Sequence, residues 1–207
     1  MAKFYDTLSD ELNDFIMAQP LFFVATAPRK GRVNVSPKGM DTFRILGDRR
    51  VAYLDLTGSG NETAAHLRDN GRITVMFCSF RQQARVLRIY GRGRAVRPSD
   101  PEWEALRSGF GDEPRPAERQ IMDIAVERVM TSCGYAVPRF DSVEPRVTFT
   151  RYWENHGPEA VEEMWRTLND KSIDGLPTGI VEHEGDAIQR TEDAVNAAGS
   201  ESGKKHV

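Results

Sequence analysis

The spacing of apolar residues changes period several times along the chain, and each change predicts an element. In "LSDELNDFIMAQ", Leu8, Leu12, Phe15 and Ile16 recur at helical spacing, with Ser9 placed as a cap and Asp10 and Glu11 in the first turn. Pro20 ends that helix. Residues 21–27, "LFFVATA", are mostly apolar and predict a strand buried on both faces. "PRKGR" predicts a turn, and 33–36, "VNVS", returns with a two-residue period, so the pair forms a hairpin. A second hairpin follows, from a short strand at 43–46 through a Gly-Asp turn to "VAYLDL" at 51–56. Small and polar residues then lead into "ETAAHLRDN", two helical turns stopped by Gly71. Residues 73–80 form the clearest strand, and 84–96 a long one whose glycines mark a bend or bulge.

Beyond residue 98 the pattern is less uniform. Ser99 and Pro101 supply helix-start chemistry for "SDPEWEALRSGF". Residues 121–133 fit two readings: Met122, Ile124, Val126 and Met130 alternate as in a strand, while Ile121, Ile124, Ala125 and Val129 fit a helix. "GPEAVEEMWRTLND" predicts a helix starting at Pro158, with Val161, Met164, Trp165 and Leu168 as its apolar face. From residue 181 the apolar content falls, which predicts one domain over 1–180 and a disordered acidic tail over 181–207. The fold class is mainly β (α+β). Many short strands joined by hairpins point to a closed or half-closed antiparallel barrel with flanking helices.

Charge narrows the function classes. The chain carries a net charge of −3, with 39% hydrophobic and 29% charged residues. The acids Glu182, Glu184, Asp186, Glu192, Asp193 and Glu201 outweigh Arg190, Lys204 and Lys205, so the tail carries the whole excess and the first 180 residues balance. No basic surplus favours nucleic acid. No apolar run approaches the roughly 20 residues that span a bilayer. "MAKFYDTLSDE" lacks a signal-peptide core, so a cytoplasmic location is expected. Cys78 and Cys133 lie far apart with no CxxC, and His66, His156, His183 and His206 have no ligand spacing, so no metal site is expected. His66 is expected on a solvated helix face, and both cysteines are expected to be packing residues.

The candidate chemistry lies in "LTGSGNET". A helix N-terminus presents unpaired N–H groups and partial positive charge. Gly58 and Gly60 allow close approach, and Thr57, Ser59, Asn61 and Thr63 supply short donors. The same letters contain a capping box, Ser59 to Glu62, which would satisfy those groups internally. The stretch is thus either a capped turn or an anion cradle. Arg85, Arg88, Arg92 and Arg94 punctuate one strand, either as protection of an exposed edge or as an anion site facing this loop. Lys38 is either a loop charge or a cation beside a ligand.

"FFVATAPRKGRVNVSPKG", "VAYLDLTGSGNETAAHLRDNGRITVMF" and "RVLRIYGRG" together resemble the pyridoxamine 5′-phosphate oxidase-like FMN-binding split-barrel family, and "MTSCGYAVP" and "SIDGLP" resemble an uncharacterised branch of it. The resemblance implies a homodimer of split β-barrels with one FMN at each end of the subunit interface. It implies that Lys38 lies near the flavin, that Val35 and Ser36 run along the flavin and ribityl chain, and that Thr57 meets the phosphate region. The family's Ser-Arg-Lys is replaced by Asn61-Glu62-Thr63, so two phosphate cations are missing. Asn61, Thr63 and Ser59 remain as donors, Arg85 or Arg88 is expected to supply charge, and Glu62 to turn back and cap the helix. The Arg-Leu-His motif that grips substrate in the vitamin-forming oxidases has no counterpart in "RTLNDKSIDGLPTG". The function implied is an FMN-dependent oxidoreductase acting on a small-molecule substrate or electron donor of unknown identity. The alternatives are a non-catalytic flavin-binding protein, or a split barrel for deazaflavin or haem, with His66 the core-region candidate for an axial ligand.

Overall fold

Antiparallel hairpins build the sheet, and the glycine and proline punctuation of the chain sets where they turn. The computed structural model describes residues 2–181. Its elements are β1 (Lys3–Tyr5), α1 (Asp10–Met17), β2 (Phe22–Thr26), β3 (Asn34–Lys38), β4 (Phe43–Gly47), β5 (Arg50–Leu56), α2 (Glu62–Asn70), β6 (Arg72–Cys78), β7 (Arg85–Val96), α3 (Trp103–Arg107), β8 (Glu118–Cys133) and α4 (Thr148–Thr167). The tail expected over 181–207 lies, from residue 182 onward, outside the described residues.

The eight strands follow the order β3-β2-β6-β7-β8-β5-β4, with β1 paired to β8. All pairings are antiparallel. β3 and β4 are the two ends of this order, so the barrel is split between them. Pro37 sits in β3, an edge strand, where its missing N–H costs no ladder bond on the open side.

The ambiguous stretch 121–133 is part of the longest strand, β8, and its strand pairing with β1, β5 and β7 decides between two locally equal patterns. A register shift between Tyr90 and Gly91 is the bulge that the glycines of β7 predicted. A Cβ at Gly91 would collide with the Ala125 carbonyl. β2 alternates buried and half-buried residues, so it is not enclosed on both faces as its composition suggested. β1 had no sequence signal, because a three-residue edge strand has too few positions to show a period.

The core lies inside the curved sheet and is closed by α1. Leu8, Leu12, Phe15 and Ile16 are all buried there, the face predicted from their spacing. Each such side chain contributes about 1.5–3 kcal/mol by leaving water. Phe22 and Phe43 meet edge-on at 5.2 Å and Phe43 and Phe77 at 5.0 Å, which ties β2, β4 and β6 together below the split. A second cluster, Ala52, Leu54, Val96, Trp103, Leu106, Phe110 and Ile121, seats α3 on the other side of β5 and β8. α4 begins ten residues before the predicted start and breaks at Gly157, whose φ is 72°, ahead of Pro158. Val161 is buried and Met164 and Trp165 are half-buried, as the helical face required, but Leu168 is 53% exposed at the helix end.

Candidate functional site

The split in the barrel holds a polar cleft of about 340 Å³, within the range of small-molecule sites. One wall is β3, with Asn34, Ser36 and Lys38 on its inward positions. The other is the end of β5 and the loop into α2, with Asp55, Leu56, Gly58, Ser59, Gly60, Asn61, Glu62 and Thr63; Arg119 closes the base from β8. The β5–β8 register shifts between Asp55 and Leu56, at the point where the chain leaves the ladder for the loop.

Asp55 organises the base of the cleft. It is 2% exposed, and Oδ1 accepts a hydrogen bond from Lys38 Nζ at 2.7 Å. Oδ2 accepts from Arg119 Nη2 at 2.8 Å, Arg119 Nε at 3.0 Å and Gln120 Nε2 at 2.9 Å. Burial alone would raise the Asp55 pKa, but Arg119, Lys38 and Gln120 outweigh it and hold the carboxyl well below the usual carboxylate range. Arg119 Nη1 donates to the Gly60 carbonyl at 3.0 Å and to Asn169 Oδ1 at 2.6 Å, so most of its donors are spent inside the protein. Lys38 keeps two of its three donors beyond the Asp55 bond. Its Nζ also lies 5.9 Å from the centroid of the buried Tyr53 ring.

The residues after α4 form a strap that fixes the loop. Asn169 is fully buried and donates to the Gly58 carbonyl at 2.9 Å. Thr178 Oγ1 donates to the Asn169 carbonyl at 2.6 Å, and the Ile173 N–H donates to Glu62 Oε1 at 2.9 Å. On the opposite wall the strap reaches the β2–β3 turn, where the Arg32 N–H donates to Asp174 Oδ2 at 2.6 Å and the Arg32 guanidinium pairs with the same carboxylate. Burial would raise the Asp174 pKa, but the Arg32 contacts outweigh it and lower it, the Arg32 N–H bond most of all.

Of the residues read from the sequence, Ser36, Lys38, Ser59, Asn61 and Thr63 come together in the cleft. Val35 does not line it: on a strand it alternates with Ser36, and it is 61% exposed on the other face. Thr57 is fully buried beneath the loop, where its Oγ1 accepts the Trp165 indole N–H at 2.8 Å. Arg85 and Arg88 are not brought to the cleft of their own chain. Arg85 pairs with Glu11 at 2.8 Å and lies over the Phe15 ring, and Arg88 points to Ser132 at 3.5 Å. The capping box does not form. Asn61 is the N-cap without a side-chain cap bond, because its amide is engaged by Gln120 at 2.7 Å, and Glu62 is held by the strap. His66 is fully buried rather than solvated, with Nδ1 2.9 Å from Thr26 Oγ1. Cys78 is buried as expected, and Cys133 is exposed.

Asp55, Arg119, Gln120 and Asn169 escaped the sequence reading. Asp55 had a signal, an acid inside the otherwise apolar run "VAYLDL", where only a buried partner makes ionisation tolerable. Asn34, also in the cleft, carried none.

The split antiparallel sheet with a polar cleft in its opening describes a split β-barrel. Residues 8–133 match the pyridoxamine 5′-phosphate oxidase family profile, and the chain belongs to that family. The chain is 40% identical over 195 residues to the pyridoxamine 5′-phosphate oxidase family protein ustO of Aspergillus flavus, a match covering 86% of this chain and 78% of that protein. Among solved structures it is similar to a HupZ variant of Group A Streptococcus, at 27% identity and a TM-score of 0.49, covering 60% of this chain and 98% of that one. It is also similar to an FMN-binding protein of Syntrophomonas wolfei, at 14% identity and a TM-score of 0.43, covering 64% and 84%.

Proposed function

We propose that the protein binds FMN in this cleft and works as an FMN-dependent oxidoreductase on a small molecule, as a homodimer. The observation that carries this reading is the set of polar groups gathered in the split of a barrel of this family: the Lys38 Nζ donors beyond its Asp55 bond, the Ser59 hydroxyl, the hydroxyls of Ser36, beside Asn34, and Thr63, beside Tyr53, and a helix N-terminus with no side-chain cap. These suit the carbonyls, ribityl hydroxyls and phosphate of a flavin mononucleotide. Gly58 adds room, since a Cβ there would meet no protein atom and its backbone needs no positive φ. The loop offers one anion position and no dinucleotide-binding G-x-G-x-x-G, which favours FMN over FAD.

When bound, the flavin would supply two-electron redox chemistry. The protein's part is positioning and electrostatics. Lys38, fixed by Asp55, would place positive charge where negative charge grows on the reduced ligand. The strap would hold the Gly58–Glu62 side of the cleft in place. The segment that lacks the vitamin-oxidase substrate motif is the one spent on this strap, so pyridoxamine phosphate is not the proposed substrate. Haem is disfavoured because His66 is enclosed between Thr26 and Glu62 and does not line the cleft.

Heat release of the chromophore from purified protein, with identification by mass, tests the cofactor. FMN is expected; FAD, deazaflavin or haem would overturn the reading.

A further inference from the structure

The charges of the cleft present a problem for a phosphate ligand. Lys38 and Arg119 are matched by Asp55 and Glu62, so a phosphate monoester, with close to two negative charges, would meet no net positive charge. Glu62 stands at the first turn of α2, where the anion would bind.

Behind Glu62 lies His66, one turn along the same helix. The Ile173 N–H holds Glu62 Oε1, which turns Oε2 inward to 3.8 Å from His66 Nε2. Both Oε2 and Nε2 are buried with no hydrogen-bond partner among the described residues. Oε2 can only accept, so Nε2 matches it only when it carries a proton: in the neutral ring that is the Nε2–H tautomer, with Nδ1 accepting from Thr26 Oγ1, and in the imidazolium both nitrogens are protonated. With a proton added, the imidazolium would donate from Nε2 to Glu62 and from Nδ1 to Thr26 Oγ1.

We propose that Glu62 and His66 are a proton-sharing pair that sets the phosphate affinity of the cleft: a bound phosphate draws a proton onto His66, which cancels the Glu62 charge. The proposal rests on the FMN reading for the ligand, but the pair itself is a property of the free chain. The other charged groups facing His66 are Asp69 on α2 and Asp174 on the strap. Each has its own arginine partner, Arg29 and Arg32, so Glu62 is the acid left for His66 to neutralise. Burial lowers the His66 pKa from its ordinary value, with the Glu62 carboxylate pulling the other way. In the free protein at neutral pH the imidazole is therefore neutral and does not offset the Glu62 carboxylate. Phosphate binding raises the His66 pKa, and by linkage a rise of about one unit makes binding about tenfold tighter below both values than above them.

The test compares FMN with riboflavin, which lacks the phosphate, in wild type, Glu62→Gln and His66→Gln at pH 6 and pH 8. Protonation of the phosphate itself is common to all three proteins, so the difference between them reports the pair. Wild type should gain severalfold in FMN-over-riboflavin preference relative to His66→Gln on going from pH 8 to pH 6, short of the limit of about tenfold reached below both His66 values. Glu62→Gln should bind FMN more tightly than wild type at pH 8 and lose that extra pH dependence. The same pH profile in all three would overturn the proposal. If no protein binds either flavin, the FMN reading fails, and the pair is read from the His66 imidazole NMR signals during titration with inorganic phosphate. A His66 pKa that rises with phosphate in wild type, but not in Glu62→Gln, supports the pair, and an unchanged pKa overturns it.

Discussion

Asp55 is the residue on which the cleft depends most. It is the common acceptor for Lys38, Arg119 and Gln120, and all but Lys38 are buried with it. Asp55→Asn leaves two cations without a counter-charge, and breaking a buried pair from one side costs about 3–5 kcal/mol. Chemical denaturation of the variant should show a loss of that order. The pH dependence follows from the same contacts. The folded carboxyl titrates below its unfolded value of about 3.9, so its stabilisation is fully present above about pH 4 and is lost as the pH falls through the folded titration. Wild type should lose stability in acid by this route, and Asp55→Asn should lack that component. Lys38→Met acts on function instead. Removing its charge makes reduction of bound flavin harder, and the midpoint potential should fall by on the order of 30 mV, a tenfold change for a two-electron couple. An unchanged potential in a folded variant would remove Lys38 from the flavin site.

At the scale of elements, the strap after α4 controls the loop before α2. Asn169 ties the two, donating to Gly58 and accepting from Arg119 while fully buried. Asn169→Ala removes the partners of the half-buried Gly58 carbonyl and of a buried Arg119 N–H, the latter at about 1–3 kcal/mol. The variant should melt earlier and bind flavin more weakly, both readable in one thermal-shift series with and without FMN. If the melting point fell by the same amount with and without FMN, the strap would be a packing element with no hold on the site. The strap was invisible in the sequence. Asn169 reads as the end of a helix, and "KSIDGLPTG" beyond it has no helical or strand period, because the strap's order comes from side-chain to backbone bonds with residues more than a hundred positions away. α1, α2 and the hairpins were legible because local spacing and glycine or proline punctuation encode them directly. The helix cap at Asn61 was misread for the opposite reason: a correct local motif, Ser59 to Glu62, lost its Glu to the strap.

At the scale of the whole molecule, the sheet ends in an edge strand beside the cleft, and Val33 and Val35 are 70% and 61% exposed there. Apolar side chains on an open edge are an aggregation liability unless another surface covers them, which supports a second copy of the chain as the cover. Sedimentation velocity at micromolar concentration should show a dimer, and Val33→Asp with Val35→Asp should shift it toward monomer. Flavin affinity should fall with dissociation if both subunits complete the site. A wild-type monomer with FMN bound would refute the assembly. The sequence by itself determined α1, α2, the two hairpins and the strands β6 and β7, since each depends on spacing within about a dozen residues; β1, the strand identity of 121–133 and the start of α4 needed the tertiary structure. It also marked Lys38 and the 59–63 loop as polar candidates between apolar runs, and the family resemblance added Ser36. Only the tertiary structure decided which charges are spent on each other. Lys38 and Arg119 meet over Asp55, Arg85 turns to Glu11, and His66 is enclosed behind Glu62. Those pairings depend on strand register and on what packs over each face, and neither is written in the local order of residues.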